Sequence, residues 1–405
     1  MVGTLIAAEI FALTAGSFAF TATAFAINFA LSYTINRIFG AKPPSQQNNG
    51  VRQQIPPSAD NTIPMVYGSA WTGGTFVDAV LSTDAKTMYY VLVISNIAKP
   101  DGSVITSTEF TYDTTKFYYG DRLVTFDGTD QTKVVSLTDG AGNVDTKISG
   151  KLYINLYTSS ASGTIVSANG AAAPSTVMGG SDITSTLRWP STPTRQMNGL
   201  AFAIVKVVYD VQAGSTGLQP ITFKVNQTFN GTGVAKPGHV LYDYFTSTVY
   251  GGAVPAANIN KTACTALNTY SDQTITYTPA GGGATTTQAR YRINGVINTG
   301  ETVLNNVDKI LTACDSWISY ETASGQWTPI INQEGTTAFA FDDSNIMGEI
   351  RVSATDISQS INQIEVSFPN KDNKDQPNYV YLKTPSGLLY PNEPVNKYSL
   401  SLVHI

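Results

Sequence analysis

The stretch that decides the fold begins with PGHVLYDYFTSTVYG at 237–251 and continues with RYRINGV at 290–296. Apolar residues recur at helical spacing in its first part, at Val240, Leu241, Tyr244 and Phe245. This pattern predicts a helix, which ends at the turn formed by Tyr250 and Gly251. Asp243 is expected in the first turn of that helix, as a satisfied polar residue near its positive end.

The next segments predict a strand, a helix and a hairpin. Residues 290–297 alternate between polar and apolar, as in a half-buried strand. An apolar helical face then runs from 303 to Cys314. A strand is predicted to start at Trp317, with a Ser–Gly turn at 324–325 and a partner strand from Trp327. Together these elements form an α+β module, assigned to 236–330.

Upstream of this module, residues 63–235 are typical of an all-β domain. The predicted strands lie at 63–68, 73–78, 88–97, 110–119, 152–157, 200–209 and 221–225. The strand at 88–97 is almost continuously apolar, which indicates burial on both faces. The Ser/Gly/Ala-rich segment 161–185 is expected to be an exposed loop. We therefore predict a β-sandwich or a partly closed barrel.

Residues 331–405 form the last segment. They predict strands at 350–354, 361–368, 379–383 and 398–403, with a charged hairpin tip at 371–375.

The first 42 residues are unusually apolar. Between 5 and 39 the only charges are Glu9 and Arg37. Aromatic residues recur at intervals of seven and four, at Phe11, Phe18, Phe25, Phe29 and Tyr33. This spacing places them on one face of a predicted helix. A polar, proline-rich linker arm follows at 43–62.

Three interpretations of this apolar helix compete. No basic residue precedes the apolar run, which argues against a signal peptide. A membrane anchor is possible by length, although threonines, Asn28 and Ser32 make it polar for lipid. We favour a self-associating helix, because a seven-residue repeat calls for helical partners.

Length and charge limit the number of domains and the kinds of partner that this chain can have. With 405 residues the chain has room for about two or three domains. Charged residues make up only 13%, and the net charge is −5. Because no basic stripe is present to neutralise phosphates, the chain is not expected to bind nucleic acid specifically.

Neither the cysteines nor the other polar residues form a recognisable chemical motif. Cys264 and Cys314 lie on predicted apolar helix faces, which favours two buried thiols. The alternative is a disulfide between them, which requires that the two helices pack together. The glycine run 281–283 lacks a phosphate-binding lysine. Adjacent Asp342 and Asp343 are expected in a solvated turn. We predict no enzyme, no catalytic residue, no cofactor and no metal site.

The order of these motifs resembles a known family, the tail-tip attachment (J) proteins that form the baseplate hub of lambda-like siphophages. The matching pieces are IPxVYG at 63–68, PxxVLYD…YG at 237–251, RYxxNGV at 290–296, GxW at 325–327 and a strand at 362–368. Residue 364 is Ile where the family pattern has Val, and the approach to the strand at 285–288 matches nothing. The single residues that carry the resemblance are Tyr67, Gly68, Asp243, Tyr250, Gly251, Cys264, Arg290, Tyr291, Asn294, Gly295, Cys314, Trp327 and Asn362.

The resemblance implies a structural virion protein at the tail tip, assembled in the host cytoplasm. A homotrimer with two β-rich modules per chain would match a hexameric tail tube through the distal tail protein. The hub would contact the tape-measure protein, let DNA pass through its lumen without specific binding, and leave receptor recognition to tail fibres. In such a hub the C-terminal strands pair with an earlier domain. The N-terminal helices would gather on the symmetry axis and plug the tube or contact the host membrane.

Two other functions compete with the hub. One is a membrane-anchored, β-rich surface adhesin, and the other is a polysaccharide-degrading tail enzyme, which would need two positioned carboxylates.

Overall fold

The structure is a computed structural model. The residues that it describes are 62–99, 109–179, 189, 195–228, 234–277, 284–335, 339–342, 344–349, 351–353, 361–370, 374, 376–384 and 395–401. Within these residues the chain is mainly β, with several antiparallel sheets and few helices, as predicted.

The larger sheet has eight strands, and its order is β15-β1-β12-β5-β6-β7-β8, with β4 also paired to β12. The strands are β1 (Met65–Thr72), β4 (Phe110–Tyr112), β5 (Tyr118–Tyr119), β6 (Arg122–Phe126), β7 (Val134–Thr138), β8 (Val144–Asp145), β12 (Ile221–Gln227) and β15 (Gly295–Ile297). The strand predicted at 110–119 is interrupted by a 3-10 turn at Thr114–Lys116, because Asp113 caps that turn through the backbone N–H of Thr115.

The second sheet has five strands in the order β10-β9-β11-β3-β2. They are β2 (Thr75–Leu81), β3 (Thr87–Asn96), β9 (Leu152–Ser159), β10 (Ile165–Ser167) and β11 (Leu200–Val208). Every residue of β3 is buried, as its apolar sequence predicted. One face of this sheet shares a core with the larger sheet, and the other is covered by Met178 and Trp189. The two sheets therefore pack as a sandwich.

The segment predicted to be one exposed loop, 161–185, is more ordered where the structure describes it. Strand β10 pairs with β9, and a short helix, α1 (Pro174–Val177), starts at a proline. Met178, at the end of that helix, is buried against the outer face of the second sheet. The loop prediction was wrong here because Ser, Gly and Ala spacing hid the apolar residues that anchor the segment.

The helical part contains α2 (Pro237–Thr246), α3 (Lys261–Ser271), β13 (Thr274–Tyr277), β14 (Thr286–Ala289), α4 (Val303–Thr312), β16 (Ser316–Glu321) and β17 (Gln326–Ile331). The predicted helices and the hairpin are confirmed. The predicted strand 290–297 was wrong over 290–294, which is an irregular crossing between β14 and β15. The unplaced segment before it forms β14, paired with β13.

The C-terminal sheet has three strands in the order β19-β18-β20. They are β18 (Gln363–Asn370), β19 (Gln376–Lys383) and β20 (Lys397–Ser401), all close to their predicted positions. The strand predicted at 350–354 was wrong for 351–353, which have no regular structure.

Several sequence predictions lie outside the described residues. These include the apolar helix 1–42 with Phe11, Phe18, Phe25, Phe29 and Tyr33, nearly all of the linker arm 43–62, the glycine run 281–283, and Asp343. In the part of the chain that the structure describes, no helix combines the length and apolar character needed to cross a bilayer.

Candidate functional site: a buried tyrosine–aspartate junction

Strand β1 forms a wall between two hydrophobic cores. Val66 and Ala70 face the core of the sandwich, whereas Met65 and Tyr67 face the core of the helical part. This division follows from the alternation of side chains along a strand. Pairing of β1 with β12 on one side and with β15 on the other ties both parts into one sheet. The boundary predicted at residues 235 and 236 is therefore crossed by continuous strand pairing.

At this wall, one carboxylate receives two tyrosine hydroxyls. The hydroxyl of Tyr67 donates to Oδ2 of Asp243 at 2.5 Å, and the hydroxyl of Tyr250 lies 2.8 Å from the same oxygen. All three side chains are buried. Hydrogen bonds to a charged acceptor are stronger than neutral ones, so the cluster joins β1, α2 and the following turn.

Helix α2 brings Asp243 to this position. The helix starts at Pro237 and buries the apolar residues that predicted it. Asp243 lies near the C-terminal end of the helix, so its expected place in the first turn was wrong. Its partners are tyrosines from other segments rather than the positive end of the helix.

Burial controls the protonation of the cluster. Loss of hydration raises the pKa of Asp243 to about 6, although the hydrogen bonds from Tyr67 and Tyr250, and the charge of Lys99, pull the pKa back. Burial and the nearby Asp243 charge in turn raise the pKa of both tyrosines well above its usual value. The tyrosines therefore stay protonated and act as donors.

Gly68 lets β1 and the segment before β15 approach closely. Its φ is +65°, and a Cβ at this position would clash with the carbonyl of Ile293 and the side chain of Asn294. The side-chain oxygen of Asn294 accepts from the backbone N–H of Ser69 at 2.9 Å. Gly295 then pairs with Tyr67 across the two strands.

Gly251 holds the turn that carries Tyr250 against the end of α2. A Cβ here would clash with the carbonyl of Tyr244. The next residue, Gly252, donates its backbone N–H to that same carbonyl at 2.9 Å. The turn therefore satisfies the end of the helix while it aims Tyr250 at Asp243.

Asn306 on α4 is a part of the junction that sequence reasoning missed. Its side-chain amide donates to the hydroxyl of Tyr244 at 2.8 Å and to the carbonyl of Asn298 at 3.0 Å. The side chain is fully buried, and its oxygen has no hydrogen-bond partner among the described residues. A polar residue on the apolar face of the predicted helix was the available signal.

The two cysteines are buried, free thiols. Cys264 lies on α3, where a side chain at Gly238 of α2 would clash with the Cys264 carbonyl. Cys314 follows α4, and its thiol lies 3.4 Å from the carbonyl of Ile310. Burial raises the pKa of both thiols to about 11, which keeps them protonated.

Four of the predicted residues lie around or away from the junction. Arg290 lies over the ring of Tyr270, and Tyr291 contacts the same ring. Trp327 stacks on Phe245, at the end of α2. Asn362 belongs to the C-terminal sheet, where its side chain accepts from the backbone of Asn396. The structure therefore gathers Tyr67, Gly68, Asp243, Tyr250, Gly251, Asn294 and Gly295, and leaves Asn362 in a different sheet.

The junction is suited to joining elements rather than to acting on a ligand. The hydroxyls of Tyr67 and Tyr250 and the carboxylate of Asp243 are buried and already paired with one another. Among the described residues, no three His, Cys, Asp or Glu side chains are grouped closely enough to hold a metal ion.

Comparison with known proteins gave matches among solved structures alone. No protein-family model matches the chain, and no curated protein matches it. The chain is similar to a chain of a solved structure described as the virion of a native gene transfer agent particle, with a TM-score of 0.40 and 10% sequence identity. The match covers 92% of this chain and 80% of that chain. Such a distant similarity assigns neither fold nor function to this chain.

Proposed function

We propose that this chain is a structural protein of a phage-like virion, the baseplate hub at the tail tip. In this role it closes the distal end of the tail tube and opens for DNA delivery. One observation carries the proposal. Seven of the thirteen residues that make the sequence resemble hub proteins come from distant segments, with Tyr67 and Asp243 separated by 176 positions, and meet at one buried junction.

The junction gives those residues a role in a protein that must bear mechanical load. A hub has to transmit force between its modules without separating them. Here β1 belongs to both hydrophobic cores, and a buried carboxylate ties it to α2 and to the following turn. Because Gly68 and Gly251 leave no room for a side chain, the segments are in backbone contact. Such a joint resists shear better than a surface contact between two domains.

The proposed assembly is a homotrimer. Each copy would contribute two β-rich modules, so that three copies match a hexameric tube through the distal tail protein. The tape-measure protein, tail fibres and the passing genome are the other proposed partners, with contact to the host membrane assigned to the N-terminal helices. A net charge of −5 suits a lumen along which DNA slides without binding. We assign the hub no enzymatic activity.

Electron microscopy tests this proposal. Purified full-length chain should form a threefold ring, and gold-labelled antibodies against the β-sandwich should mark the distal end of the tail on intact particles. Label on the capsid or on the cell envelope, or a purified chain that is monomeric, would contradict the hub assignment.

A further inference from the structure

The C-terminal sheet has an apolar face that the described residues leave uncovered. Strand pairing places Ile364 beside Leu382 and Tyr398, and Val366 beside Val380, on the same face. Yet Leu382 is 60% exposed and Tyr398 is 49% exposed. No residue of β18, β19 or β20 whose burial the structure describes is buried.

The opposite face of the sheet is polar, and Glu365 on this face has both an ion-pair partner and a hydrogen-bond partner. Glu365 pairs with Lys397 at 3.0 Å and accepts from the hydroxyl of Ser399 at 3.3 Å. Tyr379, Tyr381 and Lys383 share this face through the register of β18 and β19. All of the sheet's described ionic contacts lie on this side, so we expect this side to face solvent. The sheet is therefore amphipathic, and a sheet of this kind is stable when its apolar face is packed.

An exposed apolar patch lies on the hairpin of β16 and β17, at one end of a face whose other members are Ser319, Thr328, Gln326 and Glu321. The register places Trp317 opposite Ile330, and these side chains are 55% and 47% exposed. The other face of the hairpin contacts α3 and α4. The chain therefore carries an apolar face on the C-terminal sheet and an apolar patch on the hairpin, and the exposure of Trp317 and Leu382 shows that they do not cover each other.

The connection between the two faces is long. Residues 332–362 join β17 to β18, and in this segment Phe339, Phe341 and Met347 are exposed. At about 3.3 Å per residue, such a segment can span on the order of 100 Å. It is therefore long enough to carry the C-terminal sheet to a neighbouring molecule.

We propose that the apolar face of the C-terminal sheet, centred on Val366 and Leu382, packs against the Trp317–Ile330 face of a second copy of this chain. The inference rests on the proposed hub, because it supplies the contact that joins its copies. Two different faces meet in each contact, so the contacts run head to tail, as the ring of the proposed trimer requires. Sheet-on-sheet packing at about 10 Å would bury both faces. No charged residue lies on the apolar face of the described C-terminal strands, and Glu321 on the hairpin face lies at the opposite end of β16 from Trp317, so it can stay in solvent at the edge of the contact.

Disulfide trapping tests this arrangement on the full-length chain. Leu382→Cys and Ile330→Cys are introduced singly and together, while Cys264 and Cys314 stay buried and do not interfere. Under oxidising conditions the double variant should form covalent dimers and trimers on a non-reducing gel, and neither single variant should. Self-cross-linking of the Leu382→Cys chain would overturn the proposal, because it shows the same face meeting itself. A double variant that closes within one chain, or that does not cross-link, would overturn it as well.

Sedimentation supplies the matched comparison. Leu382→Glu and Trp317→Glu should each weaken association at least tenfold, whereas Tyr379→Glu, on the polar face of the same strand as Leu382, should associate like wild type. Circular dichroism checks that the sheets persist in each variant. Wild-type association in Leu382→Glu would overturn this contact and leave the hub proposal standing, whereas a monomeric wild-type chain would overturn both.

Discussion

Burial of Asp243 sets how the stability of the junction depends on pH. The pKa of this carboxyl is raised from an ordinary value of 3.8 to about 6 in the folded chain. A group with a raised folded-state pKa stabilises the fold fully below its unfolded pKa, and this contribution is lost as the pH rises through the folded pKa. Two pKa units correspond to roughly 3 kcal/mol. The contribution of Asp243 to stability is thus largest below about pH 4 and is lost by about pH 7.

Asp243→Asn should remove that dependence. Asparagine keeps the shape and one acceptor oxygen but carries no charge. The difference in unfolding free energy between wild type and Asp243→Asn should therefore move by roughly 3 kcal/mol between pH 4 and pH 7, with wild type relatively stronger at low pH. Denaturant titrations at several pH values measure it.

The matched control is Asp139→Asn on an exposed loop. Hydrogen bonds, first from the side chain of Asn143, lower the pKa of Asp139, so this carboxylate contributes stability that is lost as the pH falls. The sign of its pH dependence should be opposite to that of Asp243. A flat difference for Asp243→Asn across the whole range would show that the buried carboxyl does not titrate there.

At the scale of elements, the sequence predicts each segment better than it predicts how segments meet. Helices α2 and α4 followed from apolar spacing, and β3 from its continuous apolar run. The irregular crossing at 290–294 did not, because its alternating pattern is equally typical of a strand, and the backbone N–H of Ile293 instead donates to Ala235. Pairing of β15 with β1 is a long-range contact, and local periodicity carries no information on it.

The same limit applies to the candidate site. The resemblance singled out Tyr67, Asp243 and Tyr250, yet it gave no reason for them to touch. Asn306 was missed because it interrupts an otherwise apolar helical face, and only the packed structure shows that it bridges Tyr244 and Asn298. Which of the residues along a helix is paired depends on neighbours that come from other segments.

Gly68→Ala should separate β1 from the segment that leads to β15. Alanine at a positive φ costs about 1–2 kcal/mol, and here its Cβ would also clash with the carbonyl of Ile293. Overpacking adds a further 1–3 kcal/mol or so, for a total of about 2–5 kcal/mol in a denaturant titration. Gly142→Ala is the control, because Gly142 has a φ of +87° but open space around its Cβ position, and only the conformational cost should apply. Equal decreases in the free energy of unfolding of the two variants would show that the close approach at Gly68 does not affect stability.

For the whole molecule, stability and association should reside in different parts of the chain. The hydrophobic cores end before the connection at 332–362, and no residue described beyond that point is buried. The described charged contact from the C-terminal hairpin tip to the sandwich is Lys374, which lies 3.3 Å from Asp121 and over the ring of Tyr118. Because the Asp121 side chain is exposed, an ion pair of this kind contributes about 0–1 kcal/mol.

A chain truncated after Asn332 should therefore unfold within about 3 °C of the full-length chain, since a change of 1 kcal/mol shifts the midpoint of a domain this size by roughly 2–4 °C. The same truncation should abolish self-association, because it removes one of the two faces proposed to meet between copies. Calorimetry of both chains below their association range compares stability, and sedimentation at higher concentration compares assembly. A truncated chain that still forms the ring would place the contact between copies elsewhere, while a large drop in midpoint would mean that the C-terminal sheet packs on its own chain.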